Sequence, residues 1–192
     1  SGMRTETKRK LALRVLSTAA LMAMVSSIAT AAFADTYCVD YGDIKVNGSS
    51  VNYYDAAGSN QMKDHDENII ITNNDKEKST SHTVTINAEE DSTAKVTLKD
   101  VNIDVSDNRK AAMTVTGTGD TEIELKGDNT LVSGSGHAGL EKNDTYGSEP
   151  SQNGTLTINA EDPDSSLTAT GGAGGAGIGG ASSRSGSHIT IT

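Results

Sequence analysis

The sequence contains no tryptophan and one phenylalanine, Phe33. Beyond residue 34 the aromatic set is five tyrosines, at positions 37, 41, 53, 54 and 146. Phe and Trp rings dominate most cores, so a core here has to be stacked from Val, Ile, Leu and Ala. Cysteine occurs once, as Cys38. One cysteine cannot close an internal disulfide, so no disulfide framework holds the fold. Basic residues are also scarce: residues 35–192 carry 11 of the 16 Lys and Arg but 25 of the 26 Asp and Glu, a net charge of −14. Such a surface repels nucleic acid and anionic lipid and favours cations. No window after residue 34 keeps a helical hydrophobic period, which argues against a helical bundle.

The first 34 residues read as an export signal. Ser1-Gly2 precede Met3 as an expression scar. Arg4, Lys8, Arg9, Lys10 and Arg14 form a positive leading region, and an apolar stretch runs from Val15 to Val25. Ala32-Phe33-Ala34 fits the small-x-small cleavage rule, with the mature chain starting at Asp35. A membrane anchor is the competing reading. The run is short for a bilayer and is broken by Ser26, Ser27 and Thr30. The remaining 158 residues are enough for one domain with a core.

That domain repeats itself. Thr83-Val84-Thr85-Ile86-Asn87-Ala88-Glu89 recurs as Thr155-Leu156-Thr157-Ile158-Asn159-Ala160-Glu161. Shorter alternating runs lie at 96–98, 101–105, 113–115, 123–125, 167–169 and 189–191. Each alternates apolar and polar residues, the pattern of a half-buried strand. Turn residues separate them, as in Gly117-Thr118-Gly119-Asp120, Gly127-Asp128-Asn129 and Gly134-Ser135-Gly136. Two all-β architectures fit, a β-sandwich of hairpins and a β-solenoid. Short strands, their mutual likeness and small residues at the corners favour the solenoid. At roughly 20–30 residues per turn, about six turns are expected. Residues 35–64 are read as an N-terminal cap with the first strands, and 65–192 as the solenoid proper. Because 189–192 is a strand with nothing after it, the native protein is expected to continue beyond Thr192.

The runs Val96–Ile103, Ile123–Leu131, Ala138-Gly139-Leu140, Gly154–Ile158, Leu167–Gly172 and Ala176–Gly180 resemble the bacterial carbohydrate-binding β-helix domains. Those domains occur on surface proteins of clostridia and related gut bacteria and are similar in fold to pectate lyases. The resemblance covers residues 65–192. It implies a right-handed parallel β-helix, calcium held by backbone and carboxylate oxygens, and binding of plant-type polysaccharide.

Several motifs are set aside. Gly172, Gly174 and Gly177 match G-x-G-x-x-G, but a dinucleotide site needs a helix directly afterwards and Ser182–Ser187 offers none. A tight solenoid corner is the favoured reading. Asp64–Asn68 with Asp75 mimics an EF-hand opening, yet Ile69 stands where that loop needs Gly. His65, His82, His137 and His188 lack zinc spacing to one another or to Cys38.

Two acid clusters, Glu89-Glu90-Asp91 and Glu161-Asp162-x-Asp164, are the candidate Ca²⁺ ligands; a solvated acidic face competes with that reading. Both follow the repeated strand, so both are expected on one side of the solenoid. Sugar sites commonly stack rings on aromatics, which makes Tyr53 and Tyr54 the candidate ligand-binding pair. The one basic-acidic cluster that suggests catalysis is Arg109-Lys110 with Asp104 and Asp107. With 25 acids, some pair meets glycosidase spacing by chance. The expected function is a secreted or cell-surface module that binds polysaccharide, with calcium as a candidate cofactor. A structural stalk of a larger surface protein is the alternative, and a lyase or glycosidase is the less favoured third.

Overall fold

Ile69, Val96, Ile123, Ile158 and Ile191 stack as one column, each the direct register partner of the next. They recur every 27 residues at first (69, 96, 123), then after 35 (158) and 33 (191). The computed structural model describes residues 36–145 and 153–192. The export-signal reading of residues 1–34 and Tyr146 lie outside them.

The chain opens with β1 (Thr36–Cys38), a 3-10 turn (Val39–Tyr41), and the antiparallel run β2 (Ile44–Asn47), β3 (Ser50–Tyr54) and β4 (Asn60–Lys63). The next coil holds β5 (Ile69–Thr72) and β6 (Val84–Asn87). Three-strand coils follow: β7 (Thr93–Lys99), β8 (Asn102–Asp104) and β9 (Met113–Thr116), then β10 (Asp120–Lys126), β11 (Asp128–Val132) and β12 (Leu140–Glu141). Another is β13 (Leu156–Asn159), β14 (Ser166–Thr170) and β15 (Ile178–Gly179), after which β16 (Ile189–Ile191) begins the next.

Like strands of successive coils pair in parallel and build three sheets. Sheet A runs β1-β5-β7-β10-β13-β16, sheet B runs β15-β12-β9-β6-β2-β3-β4, and sheet C is β14-β11-β8. This is a parallel β-helix. The sandwich alternative is excluded, because among the described residues antiparallel pairing is confined to β2-β3-β4.

Strand alternation puts one residue in two inside. Sheet B contributes the column Ile44–Val84–Met113–Leu140–Ile178, and sheet C contributes Ile103–Leu131–Ala169. Most of these side chains are fully buried, each worth about 1.5–3 kcal/mol of transfer free energy for the larger ones. Aliphatic columns thus supply what the missing Phe and Trp would have.

The corners are held by side chains that reach the next coil's backbone. Buried Asn129 accepts from the Val101 amide (2.9 Å) and donates to the carbonyls of Lys126 and Ser166 (3.2 Å each). Asn73 accepts from the Asn102 amide (2.8 Å), Asp43 from Thr83 (2.8 Å) and Asp120 from Thr155 (3.1 Å). Each satisfies a backbone donor that would otherwise go unpaired at a bend.

At the corner before sheet B the coils touch backbone to backbone. The Cα of Gly172 abuts the carbonyl of Gly134, and that of Gly175 abuts the carbonyl of His137, so neither position has room for a Cβ. The glycine-rich run is therefore a solenoid corner, as its sequence suggested, and no helix follows it.

Candidate functional site

Beside sheet B, β9 meets the chain that follows β12 and the returning segment 179–187. Thr114 and Thr116 point outward from β9, because Met113 and Val115 fill the core. After Glu141 the chain leaves the sheet and carries Lys142, Asn143 and Asp144 past those threonines. The next coil clamps it there. Lys142 N donates to Gly179 O (2.8 Å), Asp144 N donates to Ser185 O (2.8 Å), and Asn143 Oδ1 accepts from Ala181 N (2.8 Å). Thr114, Thr116, Lys142, Asn143, Asp144 and Arg184 line a pocket of about 320 Å³.

Lys142 is the one buried lysine among the described residues. Its Nζ donates to Ser187 O at 2.8 Å and stands 4.0 Å from Asp144 Oδ1. Burial pushes the Lys142 amine below the ordinary lysine range, and the Asp144 charge offsets part of that shift. Asp144 Oδ1 is already engaged, accepting from Ser187 N (3.0 Å) and Ser187 Oγ (2.8 Å). Arg184 donates from one guanidinium nitrogen to Asp144 O at 3.1 Å.

A second buried group sets Asn143. Glu141 is buried, and its Oε1 accepts from Ala138 N (3.1 Å) and pairs with His137 Nδ1 (2.9 Å). Its Oε2 accepts from Asn143 Nδ2 (3.2 Å). With both its amide groups bonded, Asn143 presents a fixed edge to the pocket. The assembly offers hydroxyls, an amide, a carboxylate, the Arg184 guanidinium and the Lys142 amine within one concave surface. That set matches a polyol, whose hydroxyls each donate and accept.

The residues singled out from sequence lie elsewhere. Tyr53 and Tyr54 alternate along β3 and so face opposite sides of it. Tyr53 packs edge-on against Tyr37, centroids 4.8 Å apart, while Tyr54 lies over Gly42, where a Cβ would have no room. They do not form a two-ring platform. Glu89, Glu90 and Asp91 follow β6 at the corner from sheet B to sheet A, whereas Glu161, Asp162 and Asp164 follow β13 at the corner from sheet A to sheet C. The expectation of a shared side is therefore corrected: the repeated strand motif occurs in two different sheets. All six acids are exposed, and Asp162 Oδ1 caps its own turn by accepting from Asp164 N (2.9 Å). Among the described residues no three His, Cys, Asp or Glu form a group able to hold a metal ion. The two acid clusters thus do not fit a calcium ion by themselves.

Set against known family models, curated proteins and solved structures, the chain matches none.

The pocket was not visible in the sequence. Arg184 is one of two arginines after residue 34, and no local motif marks it. Nothing local distinguishes Lys142 from its exposed counterparts, because its partner Ser187 is 45 residues away and arrives with the next coil.

Proposed function

We propose that this protein is a secreted or cell-surface module that binds polysaccharide, with the sugar seated in the pocket bounded by Thr114, Thr116, Asn143 and Arg184. The observation that carries the reading is the pocket itself: about 320 Å³, and walled by donors and acceptors from three successive coils. A volume of that order holds one or two sugar rings, at the lower end of ordinary ligand sites. Among the described residues no aromatic ring lines it, so the affinity they supply rests on hydrogen bonds that only partly offset the cost of ordering a chain. We accordingly assign it weak binding, in the range of about 0.1–1 mM, or roughly −4 to −5.5 kcal/mol. The apolar run before Asp35 supports export.

The pocket reading does not call on calcium at the acid clusters. The test is a glycan screen on the protein, followed by isothermal titration of the hits against wild type and Arg184→Gln. Loss of binding in the variant with an unchanged melting temperature supports the pocket. Hits that bind both proteins equally overturn it.

A structural spacer is the second reading. It is favoured by the uninterrupted parallel pairing of six strands in sheet A, which extends the molecule one coil at a time. A screen that yields no glycan at millimolar concentration selects it.

A further inference from the structure

Eight of the nine lysines in the described residues are exposed, and Lys142 is the exception. Its surroundings differ from those of an ordinary buried ion pair. The nearest carboxylate oxygen, Asp144 Oδ1, is 4.0 Å away, beyond hydrogen-bond reach, and is occupied by Ser187 N and Oγ. The direct partner of Nζ is a neutral carbonyl, Ser187 O at 2.8 Å. A neutral amine satisfies that arrangement as well as an ammonium does: one N–H donates to the carbonyl, and the lone pair remains. Lys142 is also one of the residues that line the cavity of about 320 Å³. Burial that outweighs the Asp144 charge acts in the same direction, favouring the unprotonated form. Desolvation next to a cavity is one of the established ways of making a lysine a nucleophile toward carbonyls.

We propose that Lys142 is a carbonyl-reactive amine, which forms an imine with the open-chain aldehyde at the reducing end of a sugar seated in the pocket. This rests on the pocket being the sugar site. Nζ attacks the aldehyde carbon; a C–N bond forms as the C=O π pair moves to oxygen. A proton passes from nitrogen to that oxygen through pocket water, giving a carbinolamine. The C–O bond then breaks, one water leaves and the C=N bond forms. Nothing is oxidised or reduced, and hydrolysis reverses the step. Such a site distinguishes chain ends from chain interiors, because only the reducing end exposes an aldehyde.

The full chain is incubated with glyceraldehyde and sodium cyanoborohydride, which reduces any imine to a stable secondary amine, and the adducts are located by peptide mapping. The first equivalent of label is expected on Lys142, ahead of exposed Lys95 and Lys126, and is lost in Lys142→Met. Asp144→Asn keeps an acceptor for Ser187 but removes the charge that favours the ammonium, so it should label faster than wild type. Label spread over the exposed lysines with Lys142 untouched overturns the proposal, as does an Asp144→Asn rate no higher than wild type. Binding of an oligosaccharide whose end has been reduced to the alditol separates the two ideas. Alditol binding without labelling sinks the imine alone, whereas labelling without any oligosaccharide binding sinks the glycan reading.

Discussion

Asn129 and Val101 belong to successive coils, and the side-chain oxygen of the first accepts the backbone amide of the second at 2.9 Å, out of contact with solvent. The same amide group reaches the other way, to Ser166 O on the following coil at 3.2 Å. One side chain thus ties three coils together at the bend between sheets A and C. Replacing it with alanine leaves the buried Val101 N–H without a partner and takes one donor each from Lys126 O and Ser166 O, the former keeping the Asp100 amide. A cost of about 2–4 kcal/mol follows, since each buried unpaired polar group costs roughly 1–3. We expect Asn129→Ala to lower the melting temperature by about 5–15 °C, measured by circular dichroism. A variant that melts within a degree of wild type would show that water replaces the staple.

Thr121 makes the opposite case. It sits in the core of sheet A between Ala94 and Leu156, 1% exposed, and its hydroxyl has no hydrogen-bond partner. Valine keeps the shape and the β-branched strand preference while removing a desolvated hydroxyl. Thr121→Val should stabilise the protein by about 1 kcal/mol, or roughly 2–4 °C. Destabilisation on urea denaturation would mean that the hydroxyl is satisfied after all.

The strands were legible because they obey a local rule. Val96-Thr97-Leu98 and Ile123-Glu124-Leu125 alternate with period two, and both became sheet A strands in direct register. The glycine corner was legible for a similar reason: only close backbone contact demands so many glycines together. Which sheet a strand joins is not a local property. The two copies of the Thr-x-Thr-Ile-Asn-Ala motif look alike, yet β6 lies in sheet B and β13 in sheet A. Loop lengths between them, not the motif, decide the placement. That is why the acid clusters were expected on one side and stand at two corners. The pocket escaped for the same cause, since Lys142 and Ser187 meet only through coil stacking.

The separation of those clusters sets an ion test. Residues 35–192 carry a net charge of −14, so any salt that screens self-repulsion should raise the melting point. Ca²⁺ needs six to eight oxygens, and no three acidic side chains among the described residues gather to begin such a set. Melts in CaCl₂, MgCl₂ and NaCl at matched ionic strength should therefore shift alike for the two divalent ions. A rise specific to calcium would require Glu89–Asp91 or Glu161–Asp164 to rearrange around the ion, and alanine replacement of each cluster would locate it.

The acid limb of stability should depend on Asp120. Its Oδ1 accepts from Thr155 Oγ1 at 2.8 Å and from Thr155 N at 3.1 Å, one coil on. The side-chain hydrogen bond from Thr155, followed by the backbone one, holds this carboxyl below the usual carboxylate range in the folded protein. The folded state thus binds fewer protons than the unfolded state as the unfolded group titrates, near pH 3.9. By linkage, the contribution is fully present above that value and disappears as pH falls through the lower folded value. Asp120→Asn keeps the acceptor oxygen but cannot titrate. At neutral pH the variant should be less stable than wild type, since a charged acceptor makes the stronger bonds. As pH falls, wild-type Asp120 takes up its proton and becomes as neutral as asparagine, so the gap should close. Because the side chain is largely exposed, water screens the effect and the gap at neutral pH should be small. Urea denaturation of both proteins at pH 7, 4 and 2.5 reads the difference directly. A gap that stays constant across that range would place the Thr155 contact outside the pH dependence and leave other carboxylates to account for acid unfolding.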